Sequence, residues 1–94
     1  METVKQFVLE TIRLFVDHPT EVEVWAKEEE GTDIVNVHVK TNKNDVGVCI
    51  GSKGSTAEAL RKIIGIIGFK QTGKKIYVKI EAPKIPKNHF YQEG

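Results

Sequence analysis

The segment with the clearest chemistry is Ile50-Gly51-Ser52-Lys53-Gly54-Ser55. Gly51 and Gly54 can adopt backbone angles that other residues resist, and neither carries a Cβ. The backbone of a polyanion can therefore come close to the main chain of this loop. A helix beginning just after it would aim its first N–H groups and the positive end of its dipole at the same place. Lys53 adds a mobile positive charge. The plain alternative, a tight turn between two helices that binds nothing, is weakened by the basic surroundings. Residues 40–79 contain nine basic side chains and two acidic ones, Asp45 and Glu58, whereas residues 1–39 contain three basic and nine acidic. The formal net charge of +1 hides this asymmetry. Opposite signs in successive parts of a chain point to a basic face that meets phosphates and an acidic face that does not.

Other reactive side chains do not form a constellation. Cys49 is the single cysteine, which excludes an internal disulfide, and it reads as a small apolar filler. His18, His38 and His89 lack metal-ligand spacing. Glu28, Glu29 and Glu30 read as a solvated hairpin tip rather than as paired catalytic carboxylates. The chain shows neither a nucleophile–base pair nor a Walker-type phosphate loop, so a binding protein is expected, not an enzyme, with no cofactor and no metal.

The loop must be held by the elements around it. Apolar residues at Val4, Phe7, Val8, Ile12, Phe15 and Val16 predict an amphipathic helix over Thr3–Val16, stopped before Pro19. His18 then sits at the C-terminal end of that helix, where the dipole favours an imidazolium. Over Glu21–Lys27, Val22, Val24 and Ala26 alternate with Glu23, Trp25 and Lys27, as expected of a half-buried strand. A charged turn containing Gly31 leads to a second strand, Ile34–Lys40, with Val35, Val37 and Val39 inward. Asn44 or Asp45 can cap a short helix reaching Ile50. After the glycine loop, Ser55 and Glu58 have the spacing of a capping box. They open a helix striped by Leu60, Ile63, Ile64 and Ile67 that ends at Gln71–Gly73. Lys75–Glu81 is a third strand with Ile76, Val78 and Ile80 inward.

The order is helix, strand, strand, helix, helix, strand, an α+β arrangement. The first two strands make an antiparallel hairpin, and the long helical connection permits a parallel crossover to the third. One apolar face per strand places the helices on one side of a three-stranded mixed sheet. Residues 1–82 form a single domain and residues 83–94 an irregular tail. The longest apolar run, Ile63–Phe69, is seven residues, far short of the roughly 20 a membrane helix needs. Charged residues at regular intervals from Met1 to Val16 do not resemble a signal peptide. The expectation is a soluble cytoplasmic protein.

With these elements in place, Val46-Gly-Val-Cys-Ile-Gly-Ser-Lys-Gly-Ser-Thr-Ala-Glu-Ala-Leu-Arg61 resembles the KH signature, hydrophobic-Gly-x-hydrophobic-Ile-Gly-x-x-Gly-x-Thr followed by apolar helical positions. The element order is similar to the type II KH fold (α-β-β-α-α-β). The length and leading helix resemble the small stand-alone KH proteins of bacteria, the KhpA family, over residues 1–82. The resemblance implies a groove that clamps about four unpaired nucleotides. Carried over by position, Gly51, Ser52, Lys53 and Gly54 are the clamp, and Val46, Gly47 and Ile50 line the groove floor. Ala57 and Leu60 occupy the apolar positions of the following helix, Arg61 can reach a phosphate, and Lys40 and Lys43 add attraction. One departure is that many KH loops place lysine directly after the first glycine, where this chain has Ser52. The implied ligand is single-stranded RNA, with single-stranded DNA as a competitor, and the implied role is an RNA chaperone or post-transcriptional regulator. A KH-fold interaction module, or an accessory subunit of a ribonucleoprotein, is the alternative.

Three features fall outside that pattern. Gly65 and Gly68 share a helix face, with apolar Ile66 and Phe69 beside them, and suggest contact with a second copy or another KH protein. Trp25 and Tyr77 point away from the helices and read as surface or interface aromatics. Lys84, Lys87, His89, Phe90 and Tyr91 in the tail combine charge with rings that can extend a nucleic-acid track.

Overall fold

The computed structural model describes residues 1–81 of the chain. Helix α1 (Glu2–Arg13) leads to strands β1 (Glu23–Glu28) and β2 (Ile34–Lys40). The short helix α2 (Val46–Ile50), the long helix α3 (Ser55–Thr72) and strand β3 (Lys75–Ile80) follow. Turns of 3-10 helix cover Pro19–Glu21, Lys43–Asp45 and Ser52–Gly54. The sheet order is β1-β2-β3. β1 and β2 are antiparallel, with Trp25 opposite His38, and β2 and β3 are parallel, with Val37 opposite Val78. This is the α+β arrangement expected from the alternation of apolar residues.

β2 is central because its inward side chains need cover from both sides. Val35, Val37 and Val39 are fully buried. They pack with Ile76 and Val78 of β3, with Val4, Val8 and Ile12 of α1, with Leu60 and Ile64 of α3, and with Cys49 of α2. All three helices therefore lie on one face of the sheet. The other face carries Trp25, His38, Tyr77 and the intervening polar residues.

Helix α3 approaches β3 closely at Gly68, which is buried. A Cβ built there would overlap Ile76 Cγ1 and lie 3.0 Å from Ile76 Cβ. This corrects the expectation of a docking face made by Gly65, Ile66, Gly68 and Phe69. Gly68 is consumed inside the domain, and Gly65 faces the same strand at ordinary contact distance. Ile66 and Phe69 instead lie exposed with Ile63 along the outer side of α3.

Helix α1 ends at Arg13, although its apolar periodicity runs on to Val16. Leu14 and Phe15 donate to the carbonyls of Thr11 and Ile12, which tightens the chain out of the α-helix. Val16 still reaches the core from the irregular connection. The chain just beyond this turn is held by a residue far away in sequence. The Asp45 carboxylate, 1% exposed, accepts hydrogen bonds from the amides of Asp17 (3.1 Å) and His18 (3.0 Å) and faces His18 Nδ1 at 3.1 Å. His18 thus belongs to this knot rather than to the end of a helix. Asp45 makes no cap bond to α2, and Asn42 caps the preceding turn by accepting from the Asn44 amide.

Burial alone pushes the Asp45 pKa up. The Asp17 amide, the imidazole and amide of His18, and the imidazole's charge outweigh burial, so the net direction is down. A carboxylate with a depressed folded-state pKa stabilises the fold above its ordinary pKa and loses that contribution as pH falls through the folded value. Thermal unfolding followed between neutral and acid pH should fall more steeply for the wild type than for Asp45→Asn, the two curves converging in acid. Parallel curves would show that Asp45 does not carry this linkage.

Candidate nucleic-acid interface

The glycine loop joins α2 to α3 through an unusual run of backbone angles. Gly51 has φ 81° and ψ 172°, Lys53 φ 56° and ψ 28°, and Gly54 φ 78° and ψ 13°. The first combination is accessible to glycine almost alone. Space matters as well, because a Cβ on Gly51 would overlap Thr56 Oγ1 and sit 2.6 Å from the Thr56 amide nitrogen. Lys53 is the one non-glycine residue with positive φ among the described residues. It costs about 1–2 kcal/mol to hold such a residue there. Hydrogen bonds fix the loop on both sides, Gly51 N–H to Gly47 O at 2.8 Å and Gly54 N–H to Gly51 O at 3.1 Å. Ser52 and Lys53 project into solvent.

The Ser55–Glu58 capping box does not form. Gly54 occupies the cap position, so Ser55 is already helical and no side chain caps α3. Glu58 faces Lys62 at 3.7 Å instead. The first turn of this 18-residue helix therefore presents its amides and the positive end of its dipole beside Lys53 without a competing carboxylate cap.

Of the five residues in α2, only Cys49 is buried. Burial, and then the Asp45 charge, push its thiol pKa up, so it stays a neutral apolar filler. Val46 is half-buried and Gly47 exposed, while Val48 (46% exposed) and Ile50 (37%) show apolar surface next to the loop. Val48 was missed in the sequence because the KH pattern assigns no role to that position. A helix this short with one buried residue must turn the others outward, and that was the available signal. A Cβ on Gly47 would meet nothing within 4 Å, so the domain's own packing does not require glycine at that place.

Several expected contacts fall elsewhere. Ala57 and Leu60 are buried at 3% and 5% and offer no surface to a ligand; they hold α3 on the sheet. Arg61 turns to β3, where its Nε donates to the Val78 carbonyl at 3.2 Å. Lys40 and Lys43 are exposed before α2 and enter no ion pair among the described residues. Helix α2 packs on α3, adjoins the loop and reaches β3. The tail residues Lys84, Lys87, His89, Phe90 and Tyr91 lie outside the described residues. Among the described residues, no cluster of His, Cys, Asp and Glu could hold a metal ion, and no helix is long and apolar enough to cross a membrane.

A helix, a two-stranded hairpin, two helices joined by Gly-Ser-Lys-Gly and a parallel return strand together define a KH domain of the type II topology. The model of the KhpA/KhpB KH domain matches residues 5–80, and the chain belongs to that family. It is similar to the RNA-binding protein KhpA of Listeria monocytogenes serovar 1/2a, with 33% identity over 76 residues, 81% of this chain and 96% of that protein. It is likewise similar to the RNA-binding protein KhpA of Chlamydia muridarum, with 33% identity over 70 residues, 74% of this chain and 87% of that one. In fold it resembles part of Era from Aquifex aeolicus, solved bound to GDP.AlF4-, at a TM-score of 0.60 and 16% identity. That match covers 97% of this chain and 33% of the Era chain.

Proposed function

We propose that this domain binds single-stranded RNA, with Gly51, Ser52, Lys53 and Gly54 gripping the sugar-phosphate backbone and Val46, Gly47, Val48 and Ile50 receiving the bases. The observation that carries this reading is the exposed loop set against the uncapped first turn of α3, with Lys53 held between two positive-φ glycines. The RNA-binding names of the relatives support RNA over DNA. Lys40 and Lys43 add long-range attraction, so affinity falls as salt rises. One domain clamping about four nucleotides binds with micromolar affinity. The cellular role consistent with this is that of a cytoplasmic RNA chaperone or post-transcriptional regulator.

The test is fluorescence anisotropy with short unpaired RNA and DNA oligomers at two salt concentrations. Ser52→Asp with Lys53→Asp should weaken RNA binding about tenfold or more while leaving the circular dichroism spectrum unchanged. Equal binding by this variant and the wild type would remove the loop from the mechanism. In the same titration Gly47→Ala should bind more weakly, because a methyl crowds the surface that receives a base. Its stability should hold or rise by up to about 1 kcal/mol, as for Gly→Ala in a helix.

A second reading rests on Ile63, Ile66 and Phe69, an exposed apolar stripe on α3. A protein partner, either a second copy or another KH protein, would cover it. Sedimentation equilibrium over micromolar concentrations distinguishes a dimer from a monomer.

A further inference from the structure

The helix-free face of the sheet is built unlike an idle surface. Register places Trp25, His38 and Lys79 in one row across the three strands, and Lys27, Asn36 and Tyr77 in the next. Lys75 follows on β3 and Lys40 on β2, both exposed on the same face. Trp25 and His38 stack with ring centroids 5.3 Å apart and planes 4° from parallel. His38 Nδ1 is held by Glu81 at 2.7 Å, which engages one of the acidic groups on this face. Lys27, Lys40, Lys75 and Lys79 enter no ion pair among the described residues. Tyr77 is half exposed, between two lysines on the same strand. Lys75 and Lys79 are spaced about 13 Å apart by strand geometry. Rings interleaved with unpaired cations suit a single-stranded nucleic acid, which supplies both base faces and phosphates.

The position of β3 supplies continuity. Arg61 of α3 reaches the edge of β3 that faces away from β2, from the helical side, while Tyr77 and Lys79 stand on the opposite face of the same strand. Helix α2 also touches β3, so the groove and the open face share this strand.

We propose that the open sheet face is a second contact surface for the same single-stranded RNA, with a base stacking on Tyr77 and phosphates meeting Lys75 and Lys79. This inference rests on the groove reading above, which supplies the first contact. It assigns a function to aromatics that a KH groove does not use, and it gives the domain a footprint longer than four nucleotides.

The experiment compares a tetramer and a dodecamer of unpaired RNA on the full chain. A dodecamer offers more registers to any short site, so the comparison is between proteins on the same oligomer. Lys75→Gln, Tyr77→Thr and Lys79→Gln are combined, with threonine chosen to retain strand propensity at an exposed position. This variant should bind the tetramer like the wild type and the dodecamer about tenfold more weakly. Trp25, the single tryptophan, should change emission with the dodecamer and not with the tetramer. Equal dodecamer binding by variant and wild type overturns the proposal while leaving the groove intact, and assigns the face to a protein or to solvent. A circular dichroism spectrum and a tetramer affinity unchanged from the wild type exclude a folding defect in the triple variant as the cause. Failure of the wild type to bind either oligomer would remove the groove reading and this surface together. Loss of both oligomers by the Ser52→Asp, Lys53→Asp variant alone confirms the groove as the first contact.

Discussion

Gly51→Ala should destabilise the domain by about 2–5 kcal/mol in urea unfolding, combining an almost glycine-only backbone region with overpacking. The new Cβ would lie 2.6 Å from the Thr56 amide nitrogen and 2.7 Å from Thr56 Cβ. Thr56 is in the first turn of α3, so relief requires the helix to move rather than a side chain to rotate. Gly54→Ala is the internal control. It has positive φ but nothing within 4 Å of its built Cβ, so only the backbone term remains, about 1–2 kcal/mol. If both substitutions cost the same, close packing against Thr56 does not explain the glycine at position 51.

Gly68→Ala should lower stability by about 1–3 kcal/mol, although alanine is the better helix former. The atoms it meets, Cγ1 and Cβ of Ile76, are close to the β3 backbone and cannot swing away. Gly65→Ala, one turn earlier, meets only the Ile76 carbonyl oxygen at 3.9 Å and should be neutral or stabilising by up to about 1 kcal/mol. Two identical substitutions three residues apart should therefore act with opposite sign. Matching signs in the unfolding midpoints would mean that α3 does not rest on β3 at Gly68.

The parts of this domain legible in its sequence are those whose cause is local. Val35, Val37 and Val39 announce a strand with one buried face, and Gly51 and Gly54 announce a loop with special angles, because each signal lies within a few residues. The missed features have distant causes. Asp45 read as a helix cap because capping is the usual role of such a residue before a helix. Its partners, Asp17 and His18, are 28 and 27 residues away. The same contact holds the chain just past α1, which ended at Arg13 although the apolar pattern continued through Phe15 and Val16. Ser55 and Glu58 had the right spacing, but Gly54 had already taken the cap. Arg61 read as a phosphate ligand from its place in the KH pattern, while a strand edge beyond the reach of local pattern claimed its guanidinium. For the candidate site, the loop and Gly47 were visible, Val48 was not, and Ala57 and Leu60 were assigned to a surface that they support from within.

The Arg61–Val78 contact has a further consequence. Lys75 and Glu81 donate toward β2, so the alternate residues Ile76, Val78 and Ile80 turn their backbone groups to the other side of β3, which no strand of the described residues pairs. An unprotected row of this kind is a template for strand addition by another chain, the first step toward fibrillar self-assembly. Arg61 occupies the central carbonyl of that row. The guanidinium that was expected at the groove thus acts as a gatekeeper of solubility, a role that constrains position 61 whether or not RNA is ever bound.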